Sequence, residues 1–180
     1  IRKNSTKEAG KVRKLLQKKN IKLVVLKNKK KIKRNIQKNA REVRYELLSK
    51  FCKKNKVKQL ITAHHLDDQI ETFFIRLSRG SGIEGLSSMS KKTRIKHGII
   101  LLRPFLENNK KELSYVAKKM FGKTFKDPSN TNEKFLRTNI RNLKKILENK
   151  GLSPEKIAHS IKNISLTKDA INFYVIKSMK

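Results

Sequence analysis

Cysteine occurs once in the 180 residues, at Cys52. The chain therefore closes no internal disulfide, and it holds no cysteine-based zinc or iron–sulfur site of its own. That usage fits a reducing, cytoplasmic setting. No apolar run approaches the roughly 20 residues that a membrane-spanning helix needs, so no membrane is expected among the partners. No secretory leader is visible. The chain opens on Ile1 rather than Met, in mid-pattern, which suggests a missing N-terminal piece. Acid is also scarce: 14 Asp and Glu stand against 47 Lys and Arg, a formal charge of +33.

So large an excess points to a polyanion partner, most simply RNA or DNA. Lysine outnumbers arginine 36 to 11. Arginine is the better bidentate reader of phosphate. Part of the charge therefore reads as a lysine bias that loads every solvated surface.

The length suits one domain, or one domain with a small appendage. Hydrophobic spacing predicts a helix over 5–19, with Ser5 as cap, Glu8 in the capping-box position and Val12, Leu15 and Leu16 on one face. A short β-branched strand follows at 21–27, then a basic loop at 28–35. A helix is expected over 36–54, where Ile36, Ala40, Val43, Leu47 and Phe51 share a face. Next come a strand at 57–63, a helix at 67–77, a Gly-rich turn at 79–85 and a strand at 98–106 ended by Pro104. Helices at 109–120 and 133–148 flank a turn at 125–132, and a last helix starts with Ser153 as cap and Pro154 as its first residue. Alternation of helix and strand argues for an α/β fold with a mostly parallel sheet, becoming mainly helical after Leu106.

The scarce acids gather in one place. "ITAHHLDDQIETFF" (61–74) sets two histidines, two aspartates and a glutamate within eight residues, and the chain has only four aspartates in all. His64 and His65 end a predicted strand, and Asp67 and Asp68 open the following helix. Ligands of parallel α/β sheets bind beyond the carboxyl ends of the strands. Asp67 and Glu71 are four apart and Asp68 and Glu71 three apart, so these carboxylates lie close and repel unless a cation intervenes. Mg²⁺, a substrate ammonium or nearby Lys and Arg would all serve. Asp also caps helices, so a single acid here needs no site. Adjacent histidines on a strand point to opposite faces, which disfavours zinc.

Three further stretches stand out. Gln37, Arg41 and Arg44 form a polar stripe able to hold phosphate or carboxylate, or simply an ordinary solvated face. "KDPSNTNEKFLRTNIRN" (126–142) joins an Asx-type turn, with Asp127 and Asn130, to Arg137 and Arg141 one helical turn apart. "RLSRGSGIEGL" (76–86) supplies Gly80 and Gly82 for close backbone approach, without Walker spacing.

In this order, "IRKNSTKEA", "IQKNAREVRYELL", "LITAHHLDDQIETFFIRLSRGSGIEGLSSM", "LLRPFL" and "KDPSNTNEKFLRTNIR" resemble the N-terminal catalytic domain of the tRNA(Ile)-lysidine synthetase family, among the PP-loop ATP-pyrophosphatases. The resemblance implies a Rossmann-like adenine nucleotide alpha-hydrolase (PP-loop) fold. Residues 1–106 would be the α/β core, 107–150 the rest of the catalytic domain and 151–180 a linking helix. It implies ATP-dependent attachment of free lysine to the wobble cytidine of a tRNA(Ile) with a CAU anticodon, through an adenylated tRNA. By this resemblance Asp68 and Glu71 recognise lysine, with Asp67 or a Mg²⁺ ion nearby, and His65 or a carboxylate takes the proton. Arg41 and Arg44 match an "AR-x-x-RY" pattern that steadies substrate or phosphate. Asp127, Asn130, Arg137 and Arg141 would order the anticodon loop or the adenylate. His64, Gly80 and Gly82 fall to the ATP side. A homodimer is compatible with the family.

One departure matters. The family's SGGxDS loop, which grips the pyrophosphate of ATP, is nowhere in these residues. Truncation explains this better than decay, since the other motifs look intact. Two alternatives remain at this point: a related tRNA thiolase, whose paired-cysteine forms Cys52 alone disfavours, and a non-catalytic basic RNA-binding piece.

Overall fold

The computed structural model of the protein describes residues 5–28, 36–125 and 136–179, without the side chains of Ser5, Gln37 and Lys145. The chain divides into two units, one of Ile1–Leu60 with Arg94–Leu101 and one of Ile61–Thr93 with Leu102–Lys180.

In the first unit, helix α1 (Ser5–Gln17) half-buries Val12, Leu15 and Leu16 and exposes Lys7, Lys11 and Lys14. Asn20, left-handed at φ 53°, closes it, and the Ile21 N–H donates back to the Leu16 carbonyl at 3.0 Å. The expected strand at 21–27 does not form among the described residues. Ile21, Val24 and Val25 are exposed there. β-Branched sequence becomes a strand only where a second edge takes its hydrogen bonds, and none of the described residues does so. The expected basic loop lies almost wholly outside the described residues. Helix α2 (Ile36–Lys54) has the predicted bounds and buries Ser49 and Cys52.

Three short strands form one sheet: β1 (Gln59–Ile61), β2 (Lys92–Arg94) and β3 (Ile100–Leu102), in the order β1-β3-β2. The Ile100 N–H donates to Lys58 O at 2.9 Å and the Thr62 N–H to Leu102 O at 3.0 Å, the slanted ladder of a parallel pair. The Ile95 N–H to Ile99 O and Arg103 N–H to Lys91 O bonds, both 2.8 Å, make β2–β3 antiparallel. One pairing of the mixed sheet is thus parallel. β2 was not expected, because "KTR" carries no apolar alternation. A 3₁₀ turn (Lys96–Gly98) joins β2 to β3, and Lys96 pairs with Glu46 of α2 at 2.9 Å.

In the second unit, helix α3 (Leu66–Leu77) is the centre. Ile70 is fully buried against Ile157 and Ile161, with Leu66, Phe73 and Phe74 around it. The Gly-rich stretch holds a one-turn helix, α4 (Ile83–Leu86). It is fastened to α3 by Arg76, which donates to Gly85 O at 2.6 Å and Ser88 O at 2.9 Å. Gln69 both donates to and accepts from the Met89 backbone at 2.8 Å. A Cβ on Gly85 would stand 2.5 Å from Ser81 Cβ, so only glycine fits. Helix α5 (Lys110–Phe121) has a capping box from Asn109 and Glu112. Helix α6 (Leu136–Asn149) begins after the undescribed turn. Helix α7 (Pro154–Ser178) starts as predicted, with Ser153 accepting from Lys156 N–H and Pro154 in the first turn. Its first turns supply Ile157 and Ile161 to the core. Among the described residues no helix is long and apolar enough to cross a membrane.

The Ile70 site is closed on all sides, so truncation leaves a cavity. Ile70→Ala is expected to cost about 2–5 kcal/mol of unfolding free energy in a urea titration. A loss under about 1 kcal/mol would place the core elsewhere.

Candidate functional site

The site is built where β1 gives way to α3. After Thr62 the chain leaves the sheet through Ala63, His64 and His65, and His65 takes the extended N-cap conformation, φ −128° and ψ 179°. Its backbone N–H donates to Asp68 Oδ2 at 3.1 Å. Asp68 thus serves as a helix cap, as its position in the first turn allows. The Leu66 N–H donates to Asn108 O at 2.9 Å and fixes the start of α3 against the segment before α5.

The two histidines lie beyond the end of β1, not on a strand as expected, and they have different neighbours. His64 Nδ1 meets Thr62 Oγ1 at 2.9 Å. The His65 ring lies between the two aspartates, Nδ1 3.7 Å from Asp67 Oδ2 and Nε2 3.6 Å from Asp68 Oδ2. Both separations are too long for hydrogen bonds. His65 Nδ1 is buried without a hydrogen-bond partner among the described residues.

The cations that the acids require come from α6. Glu71 is 3% exposed. It accepts from Arg141 Nε at 2.5 Å and from Nη2 at 3.3 Å, a two-pronged pair. Asp67 takes the Lys144 ammonium on Oδ1 and the Lys110 N–H on Oδ2 at 3.1 Å. Burial pushes the Asp67 carboxyl up, but Lys144 and the Lys110 N–H together outweigh it and hold the group below the usual carboxylate range. Glu71 holds the Arg141 guanidinium above its usual value, against burial, with help from Asp68 and Asp67. Acids four apart on α3 thus meet cations three apart on α6. Asp68 acts on Arg141 only through its charge and makes no ion pair with Lys or Arg among the described residues.

His65, Asp67, Asp68, Glu71 and Arg141 therefore converge, and sequence reasoning missed Lys144. Its only local signal is its place three residues after Arg141. Arg137 lies one turn from Arg141 on α6, exposed. Asp127 and Asn130 lie outside the described residues. Arg41 and Arg44 are in the first unit, exposed on α2, with guanidinium carbons 5.1 and 5.8 Å from the Tyr45 ring centroid. Gly80 is left-handed at φ 67° just after α3, and Gly82 is the N-cap of α4. Among the described residues no group of three His, Cys, Asp or Glu is disposed to hold a metal ion. Asp67, the metal candidate, has both oxygens engaged, so a resident Mg²⁺ does not fit it. A cavity of about 750 Å³ opens beside the first turn of α3, lined by Leu66, Gln69, Met89, Leu106 and Ile161 among others. None of the three acids lines it.

A sequence model of the PP-loop domain matches residues 1–148. The chain belongs to the PP-loop domain family. Its fold is accordingly the α/β adenine nucleotide alpha-hydrolase fold, a family of ATP-binding domains. This PP-loop domain is 41% identical to a tRNA(Ile)-lysidine synthase of Wolbachia pipientis wMel over 133 residues, 74% of the chain and 31% of that protein. It is 36% identical to one of Anaplasma marginale (strain St. Maries) over 139 residues, 77% of the chain and 29% of that protein. A third, of Campylobacter jejuni (strain RM1221), is 39% identical over 140 residues, 78% of the chain and 43% of that protein. The PP-loop domain thus spans less than half the length of these relatives.

Removing the cation from Glu71 leaves a buried, unpaired carboxylate. Arg141→Ala is expected to cost about 3 kcal/mol in urea unfolding at neutral pH, and Glu71→Gln in the same chain should restore part of it. An additive double mutant would show that the two side chains do not interact. Asp67 has a folded pKa below its unfolded value, so its ionisation stabilises the fold above the unfolded pKa of about 3.9. That contribution is lost as pH falls through the lower, folded pKa. The stability difference between the parent and Asp67→Asn should therefore be full at pH 7 and vanish in strong acid; a difference constant down to about pH 2 would refute the pairing.

Proposed function

We propose that this domain is part of a ligase that joins free lysine to the wobble cytidine of tRNA(Ile) with a CAU anticodon, using ATP. The observation that carries the reading is the identity of 36–41% across most of the chain with proteins named tRNA(Ile)-lysidine synthase. In this reading the cytidine carbonyl oxygen attacks the α-phosphorus of ATP and pyrophosphate leaves. The lysine ε-amine then attacks the ring carbon, AMP departs, and the amine's proton passes to His65 or a carboxylate. Mg²⁺ arrives with the nucleotide, and no step is routed through a protein-bound metal.

The acidic cluster supports this reading by its charge. Among the described residues three carboxylates face two cations, Arg141 and Lys144, which leaves one negative charge for an incoming ammonium. Asp68 is assigned to that ammonium, because it alone of the three makes no ion pair with Lys or Arg among the described residues. Glu71, fixed by Arg141, shapes the site, and His65 stands beside Asp68 where a proton would be released. Arg41, Arg44 and Arg137, with Asp127 and Asn130, are assigned to the tRNA or its adenylate, and His64, Gly80 and Gly82 to the nucleotide side. The +33 charge suits a tRNA partner and makes binding salt-dependent. The reaction is placed in the cytoplasm, and a homodimer is compatible with it but not required.

The absence of SGGxDS from the 180 residues favours one second reading, a basic RNA-binding piece without catalysis. The complete protein, incubated with labelled lysine, ATP and a tRNA(Ile) transcript, separates the two. Label on the tRNA is expected, and tRNA binding without label would establish the second reading. Asp68→Asn should lower kcat/KM for lysine about 100-fold while tRNA affinity holds. Normal lysine use with weakened tRNA binding would overturn the assignment of Asp68.

A further inference from the structure

The acidic cluster already contains what the proposed substrate would bring, a lysine ammonium. The Lys144 head group sits on Asp67 Oδ1 with its side chain 15% exposed. Free lysine carries the same group on the same methylene stem, so a site that attracts one attracts the other. The two internal cations are not equally exchangeable. Arg141 grips the almost fully buried Glu71 through two nitrogens, and its departure would strand that charge. Lys144 contacts Asp67 at a single point, and that carboxylate is 26% exposed. Lys144 also has somewhere to go. Glu148, one turn further along α6, holds an oxygen 3.6 Å from the Lys144 nitrogen and is 37% exposed. The ammonium thus lies between two carboxylates, one inside the cluster and one at its edge.

We propose that Lys144 is an intramolecular competitor for the lysine site: its ammonium fills Asp67 in the free protein and withdraws to Glu148 when a ligand ammonium enters. The identity of the ligand rests on the reading under Proposed function, whereas the competition itself rests on the position of Lys144 between Asp67 and Glu148. While Lys144 is seated, only the charge of Asp68 is open. When it withdraws, Asp67 and Asp68 act together on the newcomer. The apparent affinity for lysine is then the intrinsic one reduced by the fraction of molecules in which Lys144 has moved away. Lys144 sets how much free lysine the site needs, and Glu148 sets how readily it yields.

The two carboxylates predict changes of opposite sign. In the complete protein, at saturating ATP and tRNA, Lys144→Met should lower KM for lysine about five-fold, the size expected for one partly exposed ion pair. Glu148→Gln removes the resting place and should raise KM. Lys144→Arg keeps a cation on Asp67 and should not lower KM. A role in folding alone would not move the Met and Gln variants in opposite directions. KM unchanged or raised in Lys144→Met, or shifted the same way in both, would overturn the proposal. A second readout is independent of catalysis: added L-lysine should raise Tm more in Lys144→Met than in the parent, and L-norleucine, which lacks the ε-ammonium, should not. If the parent transfers no lysine to tRNA, the functional reading fails and the Tm comparison still decides the competition. An equal or smaller lysine-induced rise in Lys144→Met refutes it.

Discussion

The ion pair between Glu71 and Arg141 is the constraint on which the second unit is organised. A carboxylate in the buried middle of a helix is tolerable only if a cation meets it with good geometry. Arg141 is that cation, and its two-nitrogen grip fixes both the distance and the rotation of α6 against α3. Once that rotation is set, helical periodicity does the rest. The residue three positions beyond Arg141 must fall near the residue four positions before Glu71, and so Lys144 reaches Asp67. The adjacent face of α3 is fixed by different physics, since Ile70 packs on Ile157 and Ile161 of α7. Helix α3 is therefore held by apolar contact on one face and by charge on the face beside it, and its first turn is presented in a defined orientation.

In the proposed reading that first turn serves stability and ligand binding with the same atoms. Asp68 caps the helix by accepting from the His65 backbone, and its negative charge suits the positive end of the helix dipole. The same charge is what a ligand ammonium would seek. A cap is ordinarily satisfied by this arrangement and needs nothing more. Here two neighbouring acids crowd it, and among the described residues two cations, Arg141 and Lys144, pair with those neighbours and not with Asp68. That crowding of acids distinguishes this turn from a merely well-capped helix.

How much of this was legible depends on the range of each signal. Helices α2, α3, α5 and α7 were readable because caps and apolar stripes are local and repeat over many residues. The stretch 21–27 misled because strand propensity says nothing about whether a partner edge is present. β2 was invisible because three polar residues carry no periodicity, although their backbone pairs with β3. At the site, the density of His, Asp and Glu in 64–71 marked the place. The partners of those acids lay 70 and 77 residues away, a separation over which spacing carries no information. Arg141 was noticed because arginine is rare in this chain. Lys144 was hidden among 36 lysines.

That concealment is itself a physical problem for the protein. If the proposed reading holds, a chain with 36 lysines must keep its own ammonium groups from saturating this acidic cluster. Distance removes most of them, since an exposed lysine beyond a Debye length is screened. Lys144 is held inside that distance by α6 and cannot be screened away. Its affinity for Asp67 can only be moderated, and a second carboxylate on the same helix does this by offering an alternative at little cost in distance. Glu148 stands one turn from Lys144, at the four-residue spacing that brings side chains together on a helix, with the base first, the weaker order for such a pair. In the proposed reading the cluster is thereby neutralised enough to fold and still able to receive an ammonium.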